Sequence, residues 1–265
     1  MKRTLLLFAC FVLFTSHELF LKTDSYFLDT NEESELFLFN GTFDQSENFI
    51  TRDRIINDKI IGPEYKFIPG KEDYYDKDDI TYLKFRTGKE GTYVAGISTL
   101  PRIIELSAEE FNEYLNHEEL IDVIANRKKK EQTNLSVREK YSKHVKVLFQ
   151  VAGKRTNHFD TVFGYPIEFI PDNNPYALGK GDKLSLRLLK EGKPLTNQMV
   201  HYSSRSNAGN HSAVERSTRT DENGTFTIEL DQVGSWYVAT INMVETEEEN
   251  IDYVSNWATL TFEVR

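Results

Sequence analysis

Hydrophobic and polar residues alternate over short segments through much of the chain, which is the pattern of half-buried β-strands. In the first half of the chain, strand-forming residues cluster at Glu35–Phe39, Thr81–Arg86 and Gly91–Ser98. The dipeptide Asn40-Gly41 ends the first of these segments with a turn signal. We therefore expect an N-terminal β-sandwich-like domain.

The period changes between about residues 107 and 152. Ser107 and Glu110 have the spacing of a helix capping box, and Phe111, Tyr114 and Leu115 follow on one helical face. This pattern predicts a first helix that begins just after Ser107.

A second helix is predicted from the segment that follows. Ser136–Glu139 repeats the capping spacing, and an apolar stripe continues at Tyr141, Val145 and Leu148. The polar residues from Arg127 to Glu131 would connect the two helices. We expect Tyr141 to pack between helix and sheet. The pattern thus predicts a two-helix insertion at about 107–152.

From Gly164 onward the chain again has short strand-like segments, with a hairpin turn at Asp221–Gly224. Six or seven short strands in about a hundred residues are typical of an immunoglobulin-like sandwich. Trp236 and Trp257 are expected in its core. The predicted fold is mainly β, with a β-sandwich-like domain at 17–163 that carries the helical pair, followed by an immunoglobulin-like β-sandwich at 164–265.

The extreme N-terminus has the pattern of a secretory signal peptide. Lys2 and Arg3 are followed by an apolar run at Thr4–Phe14 and by the small residues Thr15 and Ser16. We expect residues 1–16 to be removed, so that the exported protein begins at His17. Phe14 fits the small-x-small cleavage pattern poorly, so a cut a few residues away stays open, as does a buried N-terminal strand.

The only cysteine of the chain, Cys10, lies within that apolar run. Leu7–Cys10 partly resembles a lipobox, which makes a lipid-anchored envelope protein the alternative to a periplasmic one. After cleavage the chain would have no cysteine, so disulfides and thiolate metal sites are excluded. A metal site would then need histidine, carboxylate, amide or backbone ligands.

Charge and motif content exclude several classes of function. The net charge of −10 argues against a nucleic-acid partner, because phosphate binding requires a basic face. The N-terminal apolar run is too short to span a bilayer, so the protein is expected to be peripheral to the membrane at most. Nucleophilic triads, phosphate-binding loops and a nucleophile elbow are absent from the sequence, and we expect no enzyme.

An ordered set of short motifs resembles one exported family of unknown function, often labelled a periplasmic component of cobalt/nickel uptake systems. The resemblance covers nearly the whole chain after the signal peptide. It is carried by these segments, in order: His17–Leu21, Pro101–Leu106, Glu110-Phe111, Tyr114-Leu115, Glu139–Lys143, Gly164–Pro171, Asn174–Leu178, Gly181-Asp182, Gly192–Leu195, Thr220–Gly224, Gly234–Trp236 and Trp257–Phe262. It implies nickel or cobalt as the bound metal and an uptake transporter as a partner.

His17 is the strongest candidate for metal chemistry. At a new N-terminus it offers its α-amine and an imidazole nitrogen, which together chelate Ni²⁺, Co²⁺ or Cu²⁺. The resemblance implies a further histidine just before the methionine of the penultimate strand. This sequence has Asn242 before Met243 instead, and asparagine is a weaker oxygen ligand. The alternative is that His17 is only a residue of the signal junction.

The remaining histidines lack ligand spacing. His158 and Asp160 lie close enough in sequence to face one ion, although loop residues without a ligand role are the alternative. His117 and His144 are expected on exposed helical positions, and His201 and His211 flank a polar loop. The candidate metal ligands are therefore His17, His158, Asp160 and Asn242.

Three functions compete at this point. The first is an exported metal-binding or metal-delivery protein for nickel or cobalt, with copper as a further metal. The second is a non-catalytic cell-envelope module that binds a protein or a glycan, which Asn242 favours because it replaces the expected histidine. The third, a copper oxidase-type enzyme, would need a second histidine opposite His17.

Overall fold

The structure, a computed structural model, describes residues 18–206 and 214–265. The predicted signal peptide, His17 and His211 lie outside these residues. Two helices are described, α1 (Ala108–His117) and α2 (Ile121–Lys129). The strands before them are β1 (Glu18–Lys22), β2 (Phe27–Leu28), β3 (Glu33–Gly41), β4 (Ser46–Asn48), β5 (Ile55–Gly62), β6 (Tyr65–Phe67), β7 (Tyr74–Lys77), β8 (Ile80–Arg86), β9 (Gly91–Thr99) and β10 (Arg102–Leu106).

Nine further strands are described after the helices. These strands are β11 (Val137–Val151), β12 (Ile167–Pro171), β13 (Lys183–Lys190), β14 (Lys193–Pro194), β15 (Met199–Arg205), β16 (Arg216–Arg219), β17 (Thr225–Glu229), β18 (Gly234–Glu245) and β19 (Tyr253–Val264). Among the described residues, no helix is long and apolar enough to cross a bilayer.

The strands form one large sheet and two smaller ones. The central sheet has the order β16-β15-β18-β19-β11-β9-β5-β6, and β2 and β10 also pair with β11. The N-terminal sheet has the order β1-β3-β8-β7, with β4 on β3. The C-terminal sheet has the order β12-β13-β14, with β17 on β13.

Strands from the two halves of the chain pair directly in the central sheet. β11 and β19 run parallel, in register from Glu139 opposite Tyr253 to Val147 opposite Thr261. The boundary expected at Gly164 lies in the connection between β11 and β12. The two halves therefore share one hydrogen-bonded sheet.

The two smaller sheets cover opposite faces of β11. The Lys143 side chain contacts Asn40 of β3, whereas the Lys146 side chain contacts Glu168 of β12. Because side chains three residues apart on a strand point to opposite faces, the N-terminal and C-terminal sheets lie on opposite sides of the central one. This explains why every residue from position 142 to 151 is buried.

The C-terminal half has the arrangement of an immunoglobulin-like sandwich. β12, β13 and β17 form one layer, and β16, β15, β18 and β19 form the other. The expected turn ends at Gly224, whose φ of +70° suits glycine and where a Cβ would lie 3.0 Å from the Leu188 carbonyl oxygen. Trp236 and Trp257 are both buried, as expected. The mainly β fold is thus confirmed.

One predicted helix is wrong. The first helix and its capping box are present, since the Ser107 side chain accepts from the Glu110 N–H and Glu110 accepts from the Ser107 N–H. The second helix, however, is α2, and the expected connection at Arg127–Glu131 begins inside it. The segment expected to be that helix forms β11.

A period of two in the sequence explains this strand. Val145, Val147 and Phe149 lie on one face, and the other face carries Lys146 and Gln150, with Leu148 as the apolar exception between them. The Lys146 side chain finds its partners in the C-terminal sheet, whereas the Gln150 side chain bonds to Thr92 of β9 and to the backbone carbonyls of residues 151, 152 and 154. His144 accordingly lies in a strand, with Nδ1 2.9 Å from the buried Ser98 hydroxyl, and is not an exposed helical residue.

Candidate functional site

The described ligands predicted from sequence lie apart from one another. His158 and Asp160 lie in a short 3₁₀ helix, Asn157–Asp160, which contacts β9 and β12. The His158 Nδ1 is 3.1 Å from the Thr156 hydroxyl, and Asp160 is exposed. Asn242 lies on β18, opposite Asn256 of β19. Among the described residues, no hydrogen bond or ion pair joins Asn242 to His158 or Asp160.

Asn242 already has protein partners. Its side-chain oxygen accepts from the Lys190 ammonium at 2.7 Å, and its amide nitrogen donates to Gln198 Oε1 at 2.9 Å. A metal at this oxygen would lie beside a lysine cation. Within residues 18–206 and 214–265, no three His, Cys, Asp or Glu side chains lie close enough to hold a metal ion by themselves.

The fold instead gathers histidines and carboxylates around the first residue of β1. This amino-terminal cleft, of about 320 Å³, opens beside Glu18. The end of α1 supplies His117 and Glu118, β15 supplies His201, and Glu215 just before β16 completes the group. The other lining residues are Gly41, Thr42, Phe43, Ser203, Arg205 and Tyr237.

Short contacts hold these side chains in place. The His201 Nδ1 lies 3.6 Å from Glu215 Oε1, and the Tyr237 hydroxyl donates to Glu215 Oε2 at 2.6 Å. The His117 Nδ1 lies 3.0 Å from Glu118 Oε1. Each histidine therefore has one ring nitrogen next to a carboxylate, the arrangement that orients imidazoles in many metal sites.

Negative charge accumulates in the amino-terminal cleft. Burial raises the pKa of Glu18 well above its usual value, and the nearby charges of Glu118 and Glu215 raise it further. Burial and then the Glu215 charge also raise the pKa of the Tyr237 hydroxyl. Arg205 also lines the cleft, and its guanidinium forms an ion pair with Asp44 at 2.8 Å. A cation bound here would relieve repulsion between carboxylates.

Sequence reasoning missed this cluster. The sequence predicts His117 as an exposed helical residue, which its 72% exposed side chain confirms, and it places His201 beside a polar loop. These residues come from separate elements, and no local spacing links them. Only the packing of α1 and β15 beside β1 brings them together.

Comparison with known proteins identifies a family for the chain but no activity. Residues 14–244 match the family described as a domain of unknown function (DUF4198), which spans most of the chain. No curated protein shows significant similarity to the chain.

Solved structures give weaker likenesses. The D0-D1 domain of intimin is 10% identical, with 92% of this chain and 97% of that chain covered and a TM-score of 0.22. A tetra-tandem repeat from the extending region of a large adhesion protein is 11% identical, with 93% and 49% covered and a TM-score of 0.23. The ICAM-5 D1-D4 ectodomain fragment is 9% identical, with 95% and 51% covered and a TM-score of 0.22. At these scores the likenesses carry no argument about function.

Proposed function

The chain belongs to the DUF4198 family, and we propose that it is an exported protein that binds a divalent transition metal at its mature N-terminus. Nickel or cobalt is the proposed metal because the sequence resembles the family labelled for cobalt/nickel uptake. The proposed location is the periplasm, and the proposed partner is an uptake transporter. No catalytic reaction is proposed.

One observation supports this function above the others. Glu18, the residue that follows His17 in the sequence, lies in the cleft that also contains two histidines and two further glutamates. Consecutive Cα atoms are 3.8 Å apart, so cleavage after Ser16 would leave a new amine one residue from this cleft. The position suits a chelate between the chain terminus and side chains of the fold.

The proposed metal site requires both His17 and the side chains of the amino-terminal cleft. His17 would contribute its amine and an imidazole nitrogen, which suit Ni²⁺, Co²⁺ and Cu²⁺. His201 and His117 supply the imidazole nitrogens that line the cleft, and Glu118 and Glu215 are oxygen donors. Because the described residues do not form a complete site alone, a metal would depend on the processed terminus and on the cleft together.

Calorimetry on protein that begins at His17 tests the proposal. We expect about one Ni²⁺ or Cu²⁺ per chain, with copper bound more tightly, as the divalent series requires. Affinity should fall as the pH decreases from about 8 to 6, since protons compete for the amine and imidazole. His17→Ala and an extra residue before His17 should each weaken binding at least about tenfold.

Matched variants separate the cleft from the other candidate ligands. His201→Ala should weaken binding, whereas His158→Ala, in the distant 3₁₀ helix, should leave it unchanged. Equal affinity in the native and His17→Ala proteins would overturn metal binding at the terminus.

A non-catalytic envelope module that binds a protein or glycan is the second candidate. It is favoured by Asn242, which stands where the family resemblance implies a histidine and which already accepts from Lys190. If calorimetry shows no metal binding at the N-terminus, this second function becomes the better account.

A further inference from the structure

A second and larger cavity lies on the face of the central sheet that the N-terminal sheet only partly covers. Its volume is about 470 Å³, within the range of small-molecule sites. Glu139, Tyr141 and Lys143 occupy alternate positions of β11 and therefore point to the same face. Trp257 of β19 and Tyr114 of α1 also line the space. This cavity is called the aromatic pocket below.

Three side chains that line the aromatic pocket, those of Glu139, Arg54 and Thr51, have a buried polar atom without a hydrogen-bond partner among the described residues, and the two charged ones matter most here. Glu139 is 1% exposed; its Oε1 accepts from the hydroxyls of Ser255 and Tyr114, but its Oε2 has no partner among the described residues. Arg54 is 7% exposed; its guanidinium donates to the Leu100 carbonyl at 3.3 Å, but the Nε proton has no acceptor within residues 18–206 and 214–265.

Such groups are uncommon in folded proteins because each costs about 1–3 kcal/mol. A buried carboxylate oxygen and a buried guanidinium N–H that both lack a partner, on residues that line the same cavity, therefore indicate a ligand with complementary groups. The requirement is for an acceptor facing Arg54 and a donor facing Glu139.

The cations of the pocket favour an anionic acceptor. The Lys143 ammonium donates to Asn40 Oδ1 at 3.0 Å and lies 5.3 Å from the Trp257 ring centroid. The Arg54 guanidinium lies 5.7 Å from the Tyr141 ring, and the Lys143 ammonium lies 5.8 Å from the same ring. Two cations thus border one aromatic ring, and an anion placed near that ring would be attracted by both.

We infer that the aromatic pocket binds a small hydroxy- or amino-carboxylate with an apolar body. The ligand carboxylate faces Arg54 and Lys143, and its hydroxyl or amino group donates to Glu139. The apolar body lies against Trp257 and Ile104, both of which line the cavity. The aromatic pocket and the proposed metal cleft share no lining residue, so the two binding tests can fail independently, although the cleft carboxylates Glu18 and Glu118 also act on the charge of Lys143.

Proton uptake gives the binding a distinctive signature. Burial, followed by the Arg54 charge, lowers the pKa of Lys143 to about 7, while the carboxylates Glu18, Glu118 and Glu139 act in the opposite direction. A ligand carboxylate adds a further negative charge and raises that pKa. At pH 8 we expect binding to take up as much as about one proton per ligand.

Titration calorimetry with chelator-treated, metal-free protein tests the inference, with 3-phenyllactate as the probe. Its amide, which lacks the charge, should bind at least tenfold more weakly, and 3-phenylpropionate, which lacks the hydroxyl, several-fold more weakly. Titration at pH 8 in HEPES and in Tris should give enthalpies that differ by the number of protons taken up multiplied by the difference between the ionisation enthalpies of the two buffers.

Variants assign the binding to the pocket. Lys143→Met should weaken phenyllactate at least tenfold and reduce the proton uptake, and Arg54→Lys provides a second test that keeps the charge but removes Nε. Arg138→Gln is the control, because Arg138 is an exposed residue of the same strand that pairs with Glu105. Circular dichroism would verify that each variant is folded.

Three results would overturn the inference. They are no saturable binding of phenyllactate, equal affinity for the acid and its amide, and unchanged affinity in folded Lys143→Met protein. Equal affinity for phenylpropionate would remove Glu139 from the site.

Discussion

Two buried lysines on β11, three residues apart, have contrasting surroundings. Lys146 is enclosed on the side of the C-terminal sheet, where its ammonium lies 3.0 Å from Glu168 Oε2 and also donates to the carbonyls of Thr161 and Phe169. Glu168 in turn accepts from three consecutive backbone N–H groups, those of residues 163–165. Every charge in this cluster has a close partner.

Lys143, on the opposite face, borders a cavity of about 470 Å³. The same cavity is lined by Glu139 and Arg54. Glu139 Oε2 and the Arg54 Nε–H have no hydrogen-bond partner among the described residues. The comparison teaches that a buried charge is not in itself a sign of function. Lys146 is part of the architecture, whereas Lys143 has space beside it and incompletely bonded neighbours, and these point to a ligand.

The largest expected effect comes from breaking the closed cluster. Glu168→Ala should destabilise the protein by about 3–5 kcal/mol, because the Lys146 charge stays buried without its carboxylate. Lys143→Met should cost less than about 1 kcal/mol, because a methionine fits the aromatic surroundings and removes a desolvated charge. Urea denaturation measures both. Equal losses of stability would contradict the distinction between the two faces.

The two tryptophans sharpen the same comparison. Trp236 is fully buried and stacks on Phe262, whereas Trp257 is 6% exposed and borders the aromatic pocket. Trp236→Ala should cost about 3–5 kcal/mol, the usual range for a core aromatic residue. Trp257→Ala should cost about 1 kcal/mol less, since one of its sides already meets open space.

Thermal and urea unfolding would measure both tryptophan variants. A larger loss for Trp257→Ala would indicate that the pocket face is packed as tightly as the other face.

Many of the strands and the mainly β class could be predicted from the sequence because they depend on local alternation and turn residues, but the central sheet that the two halves share could not. The first helix was predictable for the same reason, through the capping pair Ser107 and Glu110. β11 is predicted as a helix from its apolar stripe, although Val145, Val147 and Phe149 lie two residues apart, as on one face of a strand. The burial of Lys146 on the other face depends on Glu168 of the C-terminal sheet, a partner that no local pattern predicts.

The candidate sites depend on tertiary contacts and could not be predicted in the same way. His117 and His201 come together through the packing of α1 and β15 beside β1. The aromatic pocket is formed by elements from both halves of the chain, including Trp257 and Tyr114. The sequence motifs contain several of these residues, but they carry no information on which of them face one cavity.

The pH dependence of stability should also distinguish the two faces. Lys143 has a pKa of about 7 in the folded state against 10.5 for an ordinary lysine, so the unfolded chain binds more protons between these values. Stability should therefore rise with pH from about 7 toward 10.5. Lys143→Met should lack this part of the rise, by more than about 1 kcal/mol.

Glu139 should change stability with pH in the opposite direction to Lys143. Burial raises its pKa from 4.5 to about 7, so the folded state binds the additional proton, and stability should fall as the pH rises through that window. Glu139→Gln should remove this fall. Urea unfolding at pH 5, 7 and 9 measures both windows, and parallel curves for wild type and variants would contradict the assignment.

The smallest expected effect lies at the helix that borders the aromatic pocket. Ser107→Ala removes the hydroxyl that accepts from the Glu110 N–H and should cost about 1 kcal/mol, as for other helix caps. Glu110 lines the pocket and Tyr114 of the same helix donates to Glu139, so fraying of α1 should also weaken 3-phenyllactate binding slightly. The hydrogen bonds of Lys146 and Glu168 among the described residues involve no residue of α1, so the contribution of this cluster to stability should stay intact. Hydrogen exchange by mass spectrometry would check this: protection should decrease in α1 and remain unchanged in β12. Loss of protection in β12 as well would mean that the two faces of the central sheet are energetically coupled.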